Sequence, residues 1–213
     1  MTLVGVRSIA MREALDALRC GQVVAAATES SFGLLADVSL ADALDRLHAL
    51  KPRGFDKGMP VVLPAWTAWN ELVRVVPPVA HALAEAFWPG PLTIALTAAP
   101  GIDPRLTLDG RIGVRLPGAC AAADLVRAYG RPLTATSANP PGLAPATLAR
   151  QVSDAFGSAV GQKLVVLDGA APGGAPSTVV VVEEESWSVV RAGRIPAADL
   201  AKTAALDPAQ RKR

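Results

Sequence analysis

Apolar residues in this chain arrive in short runs, and nearly every run is stopped by a proline, a glycine or an aspartate. Residues 22–28 read Gln-Val-Val-Ala-Ala-Ala-Thr, residues 92–97 read Leu-Thr-Ile-Ala-Leu-Thr and residues 178–182 read Thr-Val-Val-Val-Val. Runs this short, with little polar alternation, are strands buried against neighbouring layers, and they are too short to span a bilayer. Between them apolar residues fall at helical spacing. Ile9, Leu15 and Leu18 share one side of residues 9–19, and Leu40, Leu44, Leu47 and Leu50 share one side of residues 40–50. Ser39 is placed to cap the second helix, which must stop by Pro52 because proline offers no amide proton. Further helices are expected at 66–73, 79–87, 119–129 and 147–156, the last with Thr147 as cap and Gln151 beyond it. Strands are expected at 61–63, 111–116, 133–135, 163–167 and 187–191, with a loop at 103–109. Strands mixed with helices, including late strands close enough to pair antiparallel, predict an α/β fold on a twisted, mixed parallel and antiparallel sheet. No repeat or linker divides the chain. One domain over residues 1–200 is expected, followed by a basic tail over 201–213.

Composition excludes several classes of function. Of 213 residues, 51% are apolar and 19% charged, which supports a buried core and rules out disorder as the overall state. Net charge is only +2, so no global polyanion-binding surface is demanded and any basic feature has to be local. Cys20 and Cys120 lie far apart with no CxxC, which excludes a disulfide framework and suits a reducing cytosol. His48 and His81 are equally isolated, so a His/Cys zinc site lacks its ligands and no protein-held metal is expected. The first residues meet Arg7, Arg12 and Glu13 too soon for a signal-peptide core. The expectation is a soluble cytoplasmic protein with no membrane association.

Four segments carry side chains suited to anion chemistry. Lys51, Arg53 and Lys57 crowd one glycine-containing loop, where three repelling cations suit a polyphosphate as well as a solvated surface. Thr134-Ala-Thr-Ser-Ala-Asn-Pro-Pro-Gly follows a short strand. Ser137 and Asn139 there are placed either to donate to phosphate or ribose oxygens or to build an Asn-Pro turn. Pro176-Ser-Thr-Val-Val sets the Ser177 hydroxyl just before a buried strand, and Arg191-Ala-Gly-Arg closes the last one. Arg115 lies on an otherwise apolar strand and requires an acid partner or an anionic ligand. Glu29, beside Thr28, is placed to hold a cation or a substrate amine, or to cap a helix. There is no GxxxxGK[ST] loop, no GxGxxG and no GxSxG elbow. The inventory points to electrostatic clamping and positioning rather than a covalent intermediate.

Taken in order, these segments resemble the YrdC family, the threonylcarbamoyl-AMP synthases of tRNA modification. The resemblance runs from Thr28-Glu-Ser-Ser-Phe-Gly-Leu through Leu50-Lys-Pro-Arg, Asp56-Lys-Gly and Trp88-Pro-Gly-Pro-Leu-Thr. It continues through Val114-Arg-Leu-Pro, Thr136-Ser-Ala-Asn, Pro176-Ser-Thr-Val-Val and Val190-Arg-Ala-Gly-Arg-Ile. It implies flanking helices around a basic concave cavity, and synthesis of L-threonylcarbamoyladenylate from L-threonine, bicarbonate and ATP. That product serves N6-threonylcarbamoylation of tRNA adenosine 37, completed by downstream threonylcarbamoyl-transferase proteins. The resemblance implies Lys51, Arg53 and Lys57 on ATP phosphates, with Lys51 and Arg53 catalytic, and Ser137, Asn139 and Arg191 on the nucleotide. Thr28, Arg115 and Ser177 would surround threonine, with Arg115 on its carboxylate. Mg2+ would arrive with ATP, and tRNA is a further candidate partner. The chain departs from the family pattern at Ala27, Phe32, Gly54 and Pro141, where proline, tyrosine, proline and serine are usual. Two other readings fit the same residues: a paralogue that binds nucleotide with another acceptor or none, and a non-enzymatic RNA-binding protein.

Overall fold

The computed structural model describes residues 3–51, 58–184 and 186–205, with side chains from residue 9 onward. The buried Val/Ala run forms β1 (Val23–Ala27), all five residues enclosed. It pairs antiparallel with β2 (Phe32–Leu35) and parallel with β9 (Leu164–Val166), and β8 (Thr136–Ser137) extends β2 to give a four-stranded sheet. Enclosure on both faces explains the lack of polar alternation. Val23, Ala25 and Ala27 point into the main core, while Val24 and Ala26 meet Ala14 and Leu18 of α1 (Leu3–Arg19) and Leu125 of α4 (Ala121–Tyr129).

The second sheet runs β11-β10-β4-β6-β3-β7, built from β11 (Trp187–Arg191), β10 (Thr178–Val182), β4 (Leu92–Thr97), β6 (Arg111–Arg115), β3 (Val61–Val62) and β7 (Leu133–Thr134). Strands β4 and β10 are parallel, whereas β6 and β11 run against them. The sheet is half-covered. Leu92, Ile94, Ile112, Val114 and Val180 face the main core, so the alternate residues Thr93, Gly113 and Arg115 lie on its other face. The mixed sheet expected from the strand pattern is therefore divided into two.

Helix α2 (Ala41–Leu50) buries Ala43, Leu44 and Leu47, as its spacing predicted. Ser39 does not cap it. Leu40 is the capping residue, and the Ser39 hydroxyl donates to the fully buried carboxylate of Asp37, which Tyr129 and Arg131 also hold. Residues 66–71 wind as a tighter 3-10 turn in place of an α-helix. Helix α3 (Pro78–Phe87) follows, and residues 107–108, expected in a loop, form β5 (Thr107–Leu108) on the edge of β6. Helix α5 (Ala149–Phe156) begins after Leu148, so Thr147 does not cap it; the Gln151 side chain reaches back to accept the amides of Thr147 and Leu148, and the Ala149 amide donates to the Gly169 carbonyl. Helix α6 (Ala197–Ala204) runs across residue 200, with Leu200 buried, and the rest of the expected tail, 206–213, lies outside the described residues. Among the described residues no helix is long and apolar enough to cross a membrane.

Candidate active site

Strand directions gather the polar residues at one end of the half-covered sheet. Arg115 ends β6, Thr93 lies near the start of β4, Ser177 immediately precedes β10 and Arg191 ends β11. Because Ile94 faces Val114, one further step of the same register sets Thr93 beside Arg115. A bulge between Val179 and Val180 leaves Val190 as an extra residue, which re-aims Arg191 at the head of β10.

Arg115 has the acid partner its burial requires. Its Nη2 donates to the Glu29 carboxylate, its Nε donates to the Gly90 carbonyl at 2.8 Å, and the two charged side chains are only 12% and 13% exposed. The same Glu29 oxygen accepts the Gly118 amide at 2.8 Å. Burial alone would raise the Glu29 pKa, but the Arg115 charge and the backbone amides outweigh it and hold the carboxyl below its ordinary range. Among the described residues the Arg115 Nη1 group makes no hydrogen bond, so half of the fork stays available at the sheet end. Cys120 lies against the other Glu29 oxygen at 3.7 Å, and burial together with that carboxylate pushes its thiol up to about 11.

Arg191 donates to the Ser177 carbonyl and, at 2.9 Å, to the Ser177 hydroxyl. Among the described residues it has no carboxylate partner. Burial and then the nearby Arg115 charge lower its pKa. Two guanidiniums thus stand near each other with one carboxylate, which is bonded to Arg115, an arrangement that favours an anion. Gly193 permits the crossing of chains here, since a Cβ would stand 2.4 Å from the Thr178 nitrogen and 2.5 Å from the Pro176 oxygen. Arg194 then reaches the Glu29 carbonyl at 3.0 Å.

A second cluster sits at the end of the four-stranded sheet. Lys51, at the C-terminus of α2, is buried, and its ammonium donates to the Ser137 hydroxyl at 2.9 Å and the Asn139 side-chain oxygen at 3.0 Å. The Asn139 amide in turn holds the carbonyls of Pro140 and Leu143. Thr28 lies beside the second cluster and immediately precedes Glu29 in the chain. Its methyl lies over Gly33, which pairs with Ser137, while its hydroxyl donates to the Ser31 carbonyl and accepts the amides of Ser30 and Ser31. Of the candidate residues, Lys51, Ser137 and Asn139 are therefore together, and Arg115, Ser177 and Arg191 are together. Arg53 and Lys57 lie outside the described residues.

A comparison with protein families decides what this arrangement belongs to. The Sua5/YciO/YrdC family model, described as telomere recombination, matches residues 16–193. The chain belongs to that family. Curated relatives include the threonylcarbamoyl-AMP synthase of Thiobacillus denitrificans, 39% identical over 145 residues that make up 67% of this chain and 77% of that protein. The threonylcarbamoyl-AMP synthase of Pyrococcus abyssi is 31% identical over 90% of this chain and 56% of its own length. Among solved structures, P. abyssi Sua5 complexed with L-threonine superposes with a TM-score of 0.83 at 30% identity, over 91% of this chain and 56% of that one. This chain thus spans little more than half of the Pyrococcus protein. The E. coli YciO structure shares the fold, with a TM-score of 0.73 at 22% identity over 88% of this chain and 90% of that one.

For a Sua5/YciO/YrdC chain, the site adds residues that motif reading had not assigned a role. Thr93, the last residue of the Trp88-Pro-Gly-Pro-Leu-Thr segment, is buried beside Arg115 in register and hydrogen-bonded to Ser177, a placement its sequence alone does not show. Of the three roles open to Glu29, holding a cation, holding a substrate amine or capping a helix, the structure shows the first, with Arg115 as the cation. Gly90 and Gly118 contribute through the backbone, which side-chain patterns do not show, and Arg194 contributes a guanidinium hydrogen to the Glu29 carbonyl. The described residues bring together no group of three His, Cys, Asp or Glu side chains able to hold a metal ion.

Proposed function

We propose that the chain is an L-threonylcarbamoyladenylate synthase, consuming L-threonine, bicarbonate and ATP and releasing pyrophosphate and water. The observation that carries this reading is Arg191 bonded to Ser177 at one end of the sheet, with the Arg115 charge close enough to lower its pKa. It is supported by the chain's family and by the synthase names of its relatives.

In this reading the Arg115 Nη1 edge and Ser177 take the threonine carboxylate, while Glu29 keeps the guanidinium oriented. The amine joined to bicarbonate gives a carbamate, whose oxygen attacks the ATP α-phosphate as pyrophosphate leaves. Negative charge builds on phosphate oxygens in that step, and Lys51 with Arg53 meets it. Ser137 and Asn139 hold the Lys51 ammonium in place and flank the nucleotide, with Arg191 on its other side. Lys57 adds a further phosphate contact. Mg2+ enters as part of the substrate, on the ATP phosphates, which is compatible with a site whose carboxylate among the described residues, Glu29, is already committed to Arg115. The product feeds tRNA adenosine 37 through downstream transferase proteins, in the cytoplasm.

The test is pyrophosphate release from Mg-ATP, omitting threonine or bicarbonate in turn, with the adenylate identified by mass. Release that needs both is expected. Release independent of threonine would replace this reading with a paralogue that uses another acceptor. RNA binding with a steep salt dependence and no turnover would replace it with a binding protein.

A further inference from the structure

Thr93 has one hydrogen-bonding neighbour for its hydroxyl among the described residues, the Ser177 hydroxyl at 2.9 Å, and is only 2% exposed. Ser177 has a second neighbour, because Arg191 Nη2 lies 2.9 Å from the same oxygen. A guanidinium can only donate, so Ser177 uses one lone pair on Arg191. Two arrangements of the hydroxyl hydrogens remain. If Ser177 donates to Thr93, the Thr93 hydrogen is buried with no acceptor, which is costly. If Thr93 donates to Ser177, both Ser177 lone pairs are filled and its hydrogen is left for whatever occupies the site. The second arrangement satisfies the more deeply buried group. Gly113 makes it sterically available, since a Cβ there would stand 3.2 Å from the Thr93 methyl.

We propose that Thr93 is a positioning and specificity residue: by donating to Ser177 it leaves that hydroxyl able to donate to a ligand and unable to accept from one. Arg115 Nη1 and Ser177 then present only hydrogens, and the ligand atom they meet must be an acceptor such as a carboxylate oxygen. Where the two donors meet different oxygens of a carboxylate, a carboxamide offers an acceptor to only one of them and sets its NH2 against the other, so it is disfavoured by hydrogen-bond polarity as well as by charge. This inference rests on the reading of the site as the place where the threonine carboxylate binds.

The experiment is calorimetric binding of L-threonine and of L-threoninamide to the parent chain, Thr93→Val, Thr93→Ser and Ser177→Ala, each checked by thermal melting. Thr93→Val keeps the shape and removes the donor. It is expected to weaken threonine binding about five-fold, the scale of one neutral hydrogen bond, and to narrow the preference for threonine over threoninamide. Thr93→Ser restores the donor and is expected to keep the parent preference. Ser177→Ala removes the relayed hydrogen and is expected to narrow the preference whether or not Thr93→Val folds. A threonine-to-threoninamide ratio unchanged in Ser177→Ala, or in a folded Thr93→Val, overturns the proposal while leaving the synthase reading intact. Failure of the parent chain to bind threonine overturns both.

Discussion

Replacing Glu29 by glutamine removes one negative charge and little volume from the joint between the two sheets. In the parent, one carboxylate oxygen takes both an Arg115 hydrogen and the Gly118 amide, with the two charged side chains about one-eighth exposed. Breaking a buried ion pair by neutralising one partner costs about 3–5 kcal/mol. The amide oxygen of glutamine retains one N–H contact and some water reaches the pair, so the expected loss is about 2–3 kcal/mol. For a chain of this size that lowers the melting temperature by roughly 5–10 °C. The pH dependence supplies an independent check. The folded Glu29 pKa lies below its unfolded value, so the carboxylate's contribution is complete above the ordinary carboxylate range and disappears as pH falls through the depressed value. The deficit of Glu29→Gln, followed by thermal melts at a series of pH values, should be constant from pH 8 to about 6 and shrink only in acid. A variant as stable as the parent at pH 7, or a deficit already fading between pH 8 and 6, would refute the reasoning.

Three further outcomes are expected. Lys51→Ala should lower adenylate formation about 100-fold while the circular dichroism spectrum stays that of the parent, and unchanged turnover would remove Lys51 from the site. Gly193→Ala forces a Cβ to within 2.5 Å of backbone atoms at Pro176, Ser177 and Thr178, so it should cost about 3 kcal/mol in urea unfolding; a neutral result would mean that the crossing is not this tight. At pH 8, iodoacetamide should label the exposed Cys20 well before Cys120, whose thiol is pushed up to about 11; equal rates would contradict its placement against Glu29.

The parts of this fold legible in the sequence are those whose burial is local and periodic. Strands β4, β10 and β11 occupy the expected residues because their apolar runs end at turn residues. Strand β2 was not expected, because Phe-Gly-Leu-Leu has no alternation and becomes a strand only by lying against β1. Helix α6 is short and mostly exposed, held by Leu200, and its composition resembles a tail. At the site, a charge on an apolar strand announced that Arg115 needs a partner, but not which one. Glu29 is 86 residues away in sequence and reaches Arg115 only after both sheets form. Thr93 closes the Trp88-Pro-Gly-Pro-Leu-Thr motif, but its role is not legible there, because a hydroxyl in a strand serves β-propensity as readily as a binding site.

The parallel pairing of the inner strands also governs how the chain is made. Val23 of β1 waits for Leu164 of β9, and Leu92 of β4 waits for Thr178 of β10. During synthesis from the N-terminus, both inner strands are therefore complete long before their parallel partners emerge, each with one open edge. Between the completion of β4 at Thr97 and the arrival of β9 at Leu164 the nascent chain carries two unfinished sheets at once. A ribosome stalled before residue 178 would hold a polypeptide whose core strands are present and whose pocket is not, the form of this molecule most in need of a chaperone.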